Sequence, residues 1–424
     1  MLRVCVVVGI VTLVGGAPPA AGPGRMVLRQ EWTRASSGIP SGAISGDGRH
    51  LAFVSAARLL QADTNNLDDI YLLDRESRRL TLATVGPGGG ASDGTSLSPQ
   101  LNVDGQYLAF DSQATVLTGT PDRNEASDVF VRDCLAGRTT RVSVSADGQE
   151  GNGRSTSPAL SADGQWLAFD STATNLVPGK DANGTGSDVF LADLAARTLT
   201  RVSLDSAGQQ FAAAFSPRIS ENGTFVVFAA TRYPEPSGGR ARGTTGPSVY
   251  LRDIAAGTTT CISCDKAVSG ERLAAFRPDL SADGRIIAFA VQTTPSRSDI
   301  VVYDRGSLTA TRITQSANAR STAPRLSASG NIVAFESWAS NLLCRGRCRD
   351  ADVDENLLPD VYLFDRTTKR FERASGGSVT WWTPSLGPVI DGRGQVVVFS
   401  SREPFGPEDT TADFDLFVCS PVCS

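Results

Sequence analysis

The sequence predicts an all-β fold: a seven-bladed β-propeller of four-stranded antiparallel blades, its ring closed by an N-terminal strand. Three observations carry this expectation. A segment typified by "SPALSADGQWLAFDS" recurs along the whole chain. Each copy turns on a glycine inside a hairpin signal. No stretch carries a helical period.

The best copies begin at 98 ("SPQLNVDGQYLAFDS"), 157, 216 ("SPRISENGTFVVFAA"), 277 ("RPDLSADGRIIAFAV") and 323 ("APRLSASGNIVAFES"). Weaker ones begin at 41 ("SGAISGDGRHLAFVS") and 387 ("GPVIDGRGQVVVFSS"). Their turn glycines, Gly48, Gly105, Gly164, Gly223, Gly284, Gly330 and Gly394, are spaced 46 to 64 residues apart. Within a unit, a short strand leads into a D-G or N-G turn and then into an alternating strand that ends in Phe. A polar loop follows, then a strand such as "DVFLAD", a turn, and a last strand such as "TLTRVS". One such meander cannot bury both faces, whereas seven in a ring can. The seventh unit stops at "DLFVC" without a fourth strand. The spare strand "MVLRQEWTRAS", residues 26 to 36, resembles "RFERAS" and "TLTRVS" and is expected to complete it.

Residues 1–22 read as a signal peptide, with Arg3, an apolar run over residues 4 to 14, and small residues around Ala20 and Ala21. Residues 23–424 then form one propeller domain, expected to be periplasmic or secreted and monomeric. No segment is long and apolar enough to predict membrane insertion. The net charge is −5, with 37 Arg and 3 Lys and no basic run, which argues against nucleic acid as a partner. Behind a signal peptide, the tight pairs Cys261/Cys264, Cys344/Cys348 and Cys419/Cys423 read as short-loop disulfides, with Cys134 left over as a buried thiol.

The pattern P-x-L-S-x-D-G-x-x-x-A-F followed by D-V-F/Y-L-x-D resembles the TolB-like, WD-repeat-like propeller family over nearly all of the expected mature chain. That resemblance implies the propeller fold. TolB itself has six blades and a separate N-terminal domain, and this chain has seven units and no room for one. The resemblance therefore does not imply TolB's role in the envelope-spanning Tol system.

The chemistry-bearing residues favour a non-catalytic protein. The one histidine, His50, stands where other units have Tyr107, Trp166, Phe225, Ile286, Ile332 and Val396, so it is expected to pack rather than react. There is no second His for a Ser-His-Asp or Cys-His apparatus. The expected function is a binding or scaffolding module for an envelope or extracellular protein or glycan. The alternative is a carbohydrate-active enzyme, a glycosidase or polysaccharide lyase, using carboxylates on the rim.

Calcium is the cofactor to weigh. "DANGTGSDVF" begins as a calcium loop would, with Asp181 and Asn183 at alternating positions and Asp188 ahead of the next strand, but the twelfth position is Ala192. Equivalent D-x-N motifs occur at Asp63, Asn65 and Asp69, at Asp122, Asn124 and Asp128, and at Asp354, Asn356 and Asp360. Unit six is richest, with Asp350, Asp352, Asp354 and Asn356 alternating ahead of Asp360. Against calcium, Asp and Asn also close turns through their own backbone without any metal. Unit five lacks the D-x-N yet keeps Asp299 before its third strand, which marks that Asp as repeat architecture. These loops share a rim with the connections between units, where Trp381 and Trp382 offer a stacking surface for a sugar or an anchor for a peptide.

Overall fold

Every residue of the S-x-D-G turn has work to do in the hairpin it makes. In unit three the Ser161 hydroxyl donates to Asp163 Oδ1 (2.6 Å) and accepts the Trp166 amide (2.9 Å), while Asp163 accepts the Gln165 amide (3.0 Å). Gly164 closes the turn at φ +69°, a conformation that costs a residue with a Cβ. The same glycine in the other six units has φ between 66° and 76°.

The computed structural model describes residues 4–7, 42–120, 122–233, 246–264, 274–344, 357–375, 383–402 and 414–420. They form seven four-stranded antiparallel sheets, each with its strands in meander order except at the closing seam. Blade three runs Ser155–Leu160, Trp166–Ser171, Asp188–Asp193 and Thr198–Arg201, each strand paired with the next. The architecture is the predicted seven-bladed propeller, and the described residues contain no helix.

The core lies between blades. The Phe that ends each alternating strand is almost wholly buried, as with Phe110, Phe169, Phe228 and Phe335 at 0% exposure. In unit five this Phe, Phe289, faces Val301. In the other six units it stacks on an aromatic of its own third strand, Phe169 on Phe190 at 5.8 Å for example. Side chains of the preceding blade, here Ala109, Val129 and Val131, cover that pair.

Two devices join successive blades on the side of the D-G turns. The first residue of each second strand rests on the turn glycine of the next blade. His50 packs on Gly105, Trp166 on Gly223 and Phe225 on Gly284, so close that a Cβ on any of these glycines would lie about 2.5 Å from a ring atom. His50 is thus a packing residue like its counterparts. The second device is a continuous circle of main-chain hydrogen bonds. Asp47 donates to Val103, Val103 to Ala162, Ala162 to Glu221, and Glu221 to Ala282. Ala282 then donates to Ala328, Ala328 to Gly392, and Gly392 back to Gly46 (2.8–3.1 Å). The circle passes through all seven units and cinches one end of the ring.

An N-terminal strand closes the ring, but it is Val4–Val7, which pairs antiparallel with Asp415–Ser420 in the register Cys5↔Cys419. Its β-branched sequence VCVV has the strand preference this position needs. Residues 26 to 36, expected in that place, lie outside the described residues, as does most of the expected signal peptide. The Cys261 and Cys264 sulfurs are within bonding distance of one another, while Cys348 and Cys423 lie outside the described residues. Cys134 is half-buried rather than buried, and burial pushes its thiol up to about 11.

Candidate functional site

The loops between second and third strands and the connections between units meet on the rim opposite the D-G turns. In three units the D-x-N motif builds this junction. Its Asp accepts the amide of its own Asn: Asp63 from Asn65 (3.2 Å), Asp122 from Asn124 (3.1 Å), Asp181 from Asn183 (3.2 Å). Each Asn side chain then donates to a carbonyl of the following connection, that of Ser92, Gly151 or Phe211. The motif is a turn that staples two rim segments together.

The Asp at the start of the third strand is fixed by the fourth strand. A hydroxyl donates to it and accepts the next backbone amide: Ser143 to Asp128 (2.6 Å), Ser203 to Asp188 (2.7 Å), Ser375 to Asp360 (2.6 Å). A recurring arginine supplies the counter-charge, with Arg141 3.3 Å from Asp128, Arg201 3.0 Å from Asp188, Arg373 3.4 Å from Asp360 and Arg312 3.7 Å from Asp299. This Asp belongs to the repeat, as unit five implied. Unit one has Leu82 in place of the arginine, and there the Tyr71 hydroxyl donates to Asp63 (2.5 Å).

In unit three the structure brings Asp181, Asn183 and Asp188 together around Arg201, which also lies 3.6 Å from Asp181. Asn183 Oδ1 is buried and accepts no hydrogen bond. Burial pushes Asp188 up to about 6 despite the Ser203 and Arg201 contacts. In unit six, Asp360 is held as described above, and Asp350, Asp352, Asp354 and Asn356 lie outside the described residues, as do Trp381 and Trp382.

Sequence reasoning placed Asp122 and Asp128 in one D-x-N motif but missed Glu150, which completes the densest acidic group among the described residues. Asp122, Asp128 and Glu150 place ligand oxygens within 4.8 Å of one another. Glu150 comes from the connection after blade two, where Val144 bridges to Glu150, and only the fold brings it to the D-x-N loop. Arg141 reaches both Glu150 and Asp128. Burial raises Asp128, and burial with the adjacent Glu150 raises Asp122. Glu150 is held below its ordinary value, because Asp122, the Arg123 amide and Arg141 together outweigh its own burial.

A central channel runs between the first strands of the blades. A cavity of about 180 Å³ is lined by the first strands of all seven blades. Toward the D-G turns comes an aliphatic belt of Ile44, Leu101, Leu160, Ile219, Leu326 and Ile390, with Asn102 and Glu221 beyond it at the turns themselves. One residue earlier along each first strand it carries Gln100, Arg218, Asp279 and Arg325. Arg218 Nε lies 3.7 Å from Asp279, whose other oxygen accepts the Leu326 amide (2.7 Å). Burial, aided by Arg325, pulls Arg218 down to about 9.

No family model and no curated protein matches the chain in sequence. Solved structures similar to it are β-propellers, TolB-like ones among them. The propeller domain of the Trilobed protease from Pyrococcus furiosus, described as having an open velcro topology, is 12% identical, with a TM-score of 0.54 over 90% of this chain and 95% of that one. An oligogalacturonate lyase in complex with manganese is 14% identical, with a TM-score of 0.54 over 90% and 88%. TolB from Acinetobacter baumannii is 16% identical, with a TM-score of 0.44 over 77% of this chain and 63% of TolB, less than two thirds of that protein's length. At these identities the likeness is one of fold, and the fold is common to proteins of different activity. Among the described residues no helix is long and apolar enough to cross a membrane.

Proposed function

We propose that the protein is an exported binding or scaffolding module, without catalysis of its own. It would take an envelope or extracellular protein or glycan on the loop-bearing rim and at the mouth of the channel. The observation that carries this reading is the polarity of the channel. One end is cinched by the seven-bond circle and an aliphatic belt; the other presents Arg218, Arg325, Asp279 and Gln100 below the rim loops. A concave surface with a few convergent polar groups is where a ligand gains most contact. The groups a catalyst would recruit have structural duties: His50 packs between blades, and the third-strand aspartates are clasped by hydroxyls and arginines. Calcium support of the acidic rim loops belongs to this reading, as does a periplasmic or secreted location.

The test is a screen of the purified protein against a glycan panel and envelope extracts, repeated with Arg218→Gln/Arg325→Gln. Specific capture is expected, weakened at least about tenfold in that variant, the loss of roughly 1.4 kcal/mol or more. Capture unchanged by the substitutions would remove the channel mouth from the site. Turnover of any glycan in the panel would replace this reading with the carbohydrate-active enzyme.

A further inference from the structure

We propose that the acidic group of unit two is a divalent-cation site, formed by Asp122, Asp128 and Glu150, with Arg141 as a fixed counter-charge beside it. The three carboxylates converge within 4.8 Å on the rim, where Asp122 and Glu150 are half-buried and Asp128 is 1% exposed. Three features of the group, taken together, point to a bound cation.

The first is an uncommitted buried oxygen. Asp128 Oδ1 accepts the Ser143 hydroxyl, whereas Oδ2 accepts no hydrogen bond. Its one opposite charge is Arg141 Nε at 3.3 Å, which does not meet hydrogen-bond geometry and is itself without a hydrogen-bond partner. A buried carboxylate oxygen in that condition is costly unless a further cation faces it. Asp188 Oδ2 of unit three is in the same condition, so this oxygen marks a site only where a third carboxylate joins it.

The second is charge closure. When all three are ionised, as metal ligands are, three carboxylates against one guanidinium leave two negative charges unbalanced, the amount a divalent ion supplies. An all-oxygen donor set selects a hard ion of the calcium, magnesium or manganese class.

The third is the contrast with unit three, where the same backbone bridge carries Gln210 in place of Glu150. Gln210 Oε1 accepts the Ala182 amide (2.8 Å) as Glu150 accepts the Arg123 amide (2.9 Å), so the two loops share one frame. Unit three is thereby one carboxylate short, and Asp181 and Asp188 are left to Arg201. The sequence motif alone marks both loops equally; the residue contributed by the next connection separates them.

The experiment is equilibrium dialysis of the full chain, stripped with chelator, against calcium and manganese salts, with metal analysis and melting curves read in parallel. One tight equivalent is expected from this loop, together with a higher melting temperature in the metal. In Glu150→Gln, which carries the side chain unit three already tolerates, affinity should fall at least about tenfold. Asp122→Asn serves as the second removal. Gln210→Glu should add an equivalent by completing unit three. No bound metal in the unaltered chain, or binding unaffected by both removals, overturns the proposal. The rim's role as a binding face is independent of it, since ligand capture is scored separately and either result can fail alone.

Discussion

The two ends of the ring are built on different rules. At the turn end every unit repeats the same contacts: a glycine at positive φ, a side chain from the previous blade resting on it, and one bond of the main-chain circle. At the rim the units share only a frame. Unit one satisfies Asp63 with a tyrosine, unit two gathers three carboxylates, unit three replaces one of them with Gln210, and unit five dispenses with the motif. Repetition holds where the ring must close on itself, and variation concentrates where nothing in the closure constrains the side chains. The binding role proposed above is assigned to the variable end.

The closing seam offers the largest test of that contrast. A chain beginning at residue 37 lacks both Val4–Val7 and the 26 to 36 segment, leaving Asp415–Ser420 an open edge. It is expected to aggregate or to lose cooperative melting. A chain beginning at residue 23 keeps residues 26 to 36, the segment the sequence offers for this edge, and is expected to melt cooperatively. The circle bond from Gly392 to Gly46 is common to both chains. If the longer chain fails as badly as the shorter, Val4–Val7 is indispensable and the 26 to 36 segment cannot replace it.

Within the blades, Arg201→Leu would leave Asp188, 1% exposed, without its main counter-charge; a loss of about 3 kcal/mol or more is expected from denaturant unfolding. At the turn end, Gly223→Ala would set a Cβ 2.5 Å from the Trp166 ring at φ +73°, and should destabilise by about 2 kcal/mol. The comparison sharpens if Gly223→Ala leaves ligand capture intact while Arg218→Gln/Arg325→Gln lowers capture with little change in unfolding. Ser203→Ala removes one hydroxyl from Asp188 and from the Val189 amide, and about 1 kcal/mol is expected.

The smallest expected effect is that of pH. Asp111, Asp170 and Glu336 sit between blades, and burial raises all three. Asp170 accepts the Ser216 amide of the next blade (3.0 Å), and Glu336 that of Gly387 (2.8 Å). A carboxylate whose folded pKa is raised binds its proton more tightly in the native state. Its contribution to stability is complete below the ordinary carboxylate range, about 4, and declines as pH rises through the folded value. The melting temperature should therefore be higher near about pH 5 than near about pH 7.5, and Asp170→Asn should flatten that slope. A profile that falls from pH 7.5 to 5 would contradict these assignments.

Much of the fold was legible because the turn is local. S-x-D-G names its own hairpin, and a Phe closing each alternating strand marks a buried face. The circle of hydrogen bonds was illegible, since main-chain groups carry no side-chain signature. That each turn glycine receives a neighbour's ring needs the blades already placed. The arginine clasp left a signal that went unread: Arg141, Arg201, Arg312 and Arg373 occupy one repeat position, each followed by an apolar residue and then a serine or threonine. Glu150 left none, because it lies 22 residues beyond Asp128 and only blade closure joins them.

The scarcity of lysine permits a direct measurement of which end binds. Lys180 is exposed on the rim loop of unit three, and Lys369 is exposed in a turn at the opposite end of blade six. Amine-directed cross-linking of the captured partner, read by mass spectrometry, is predicted to join it to Lys180 and to leave Lys369 unlinked. A partner linked through Lys369 and absent from Lys180 would place binding at the repetitive end and contradict the account.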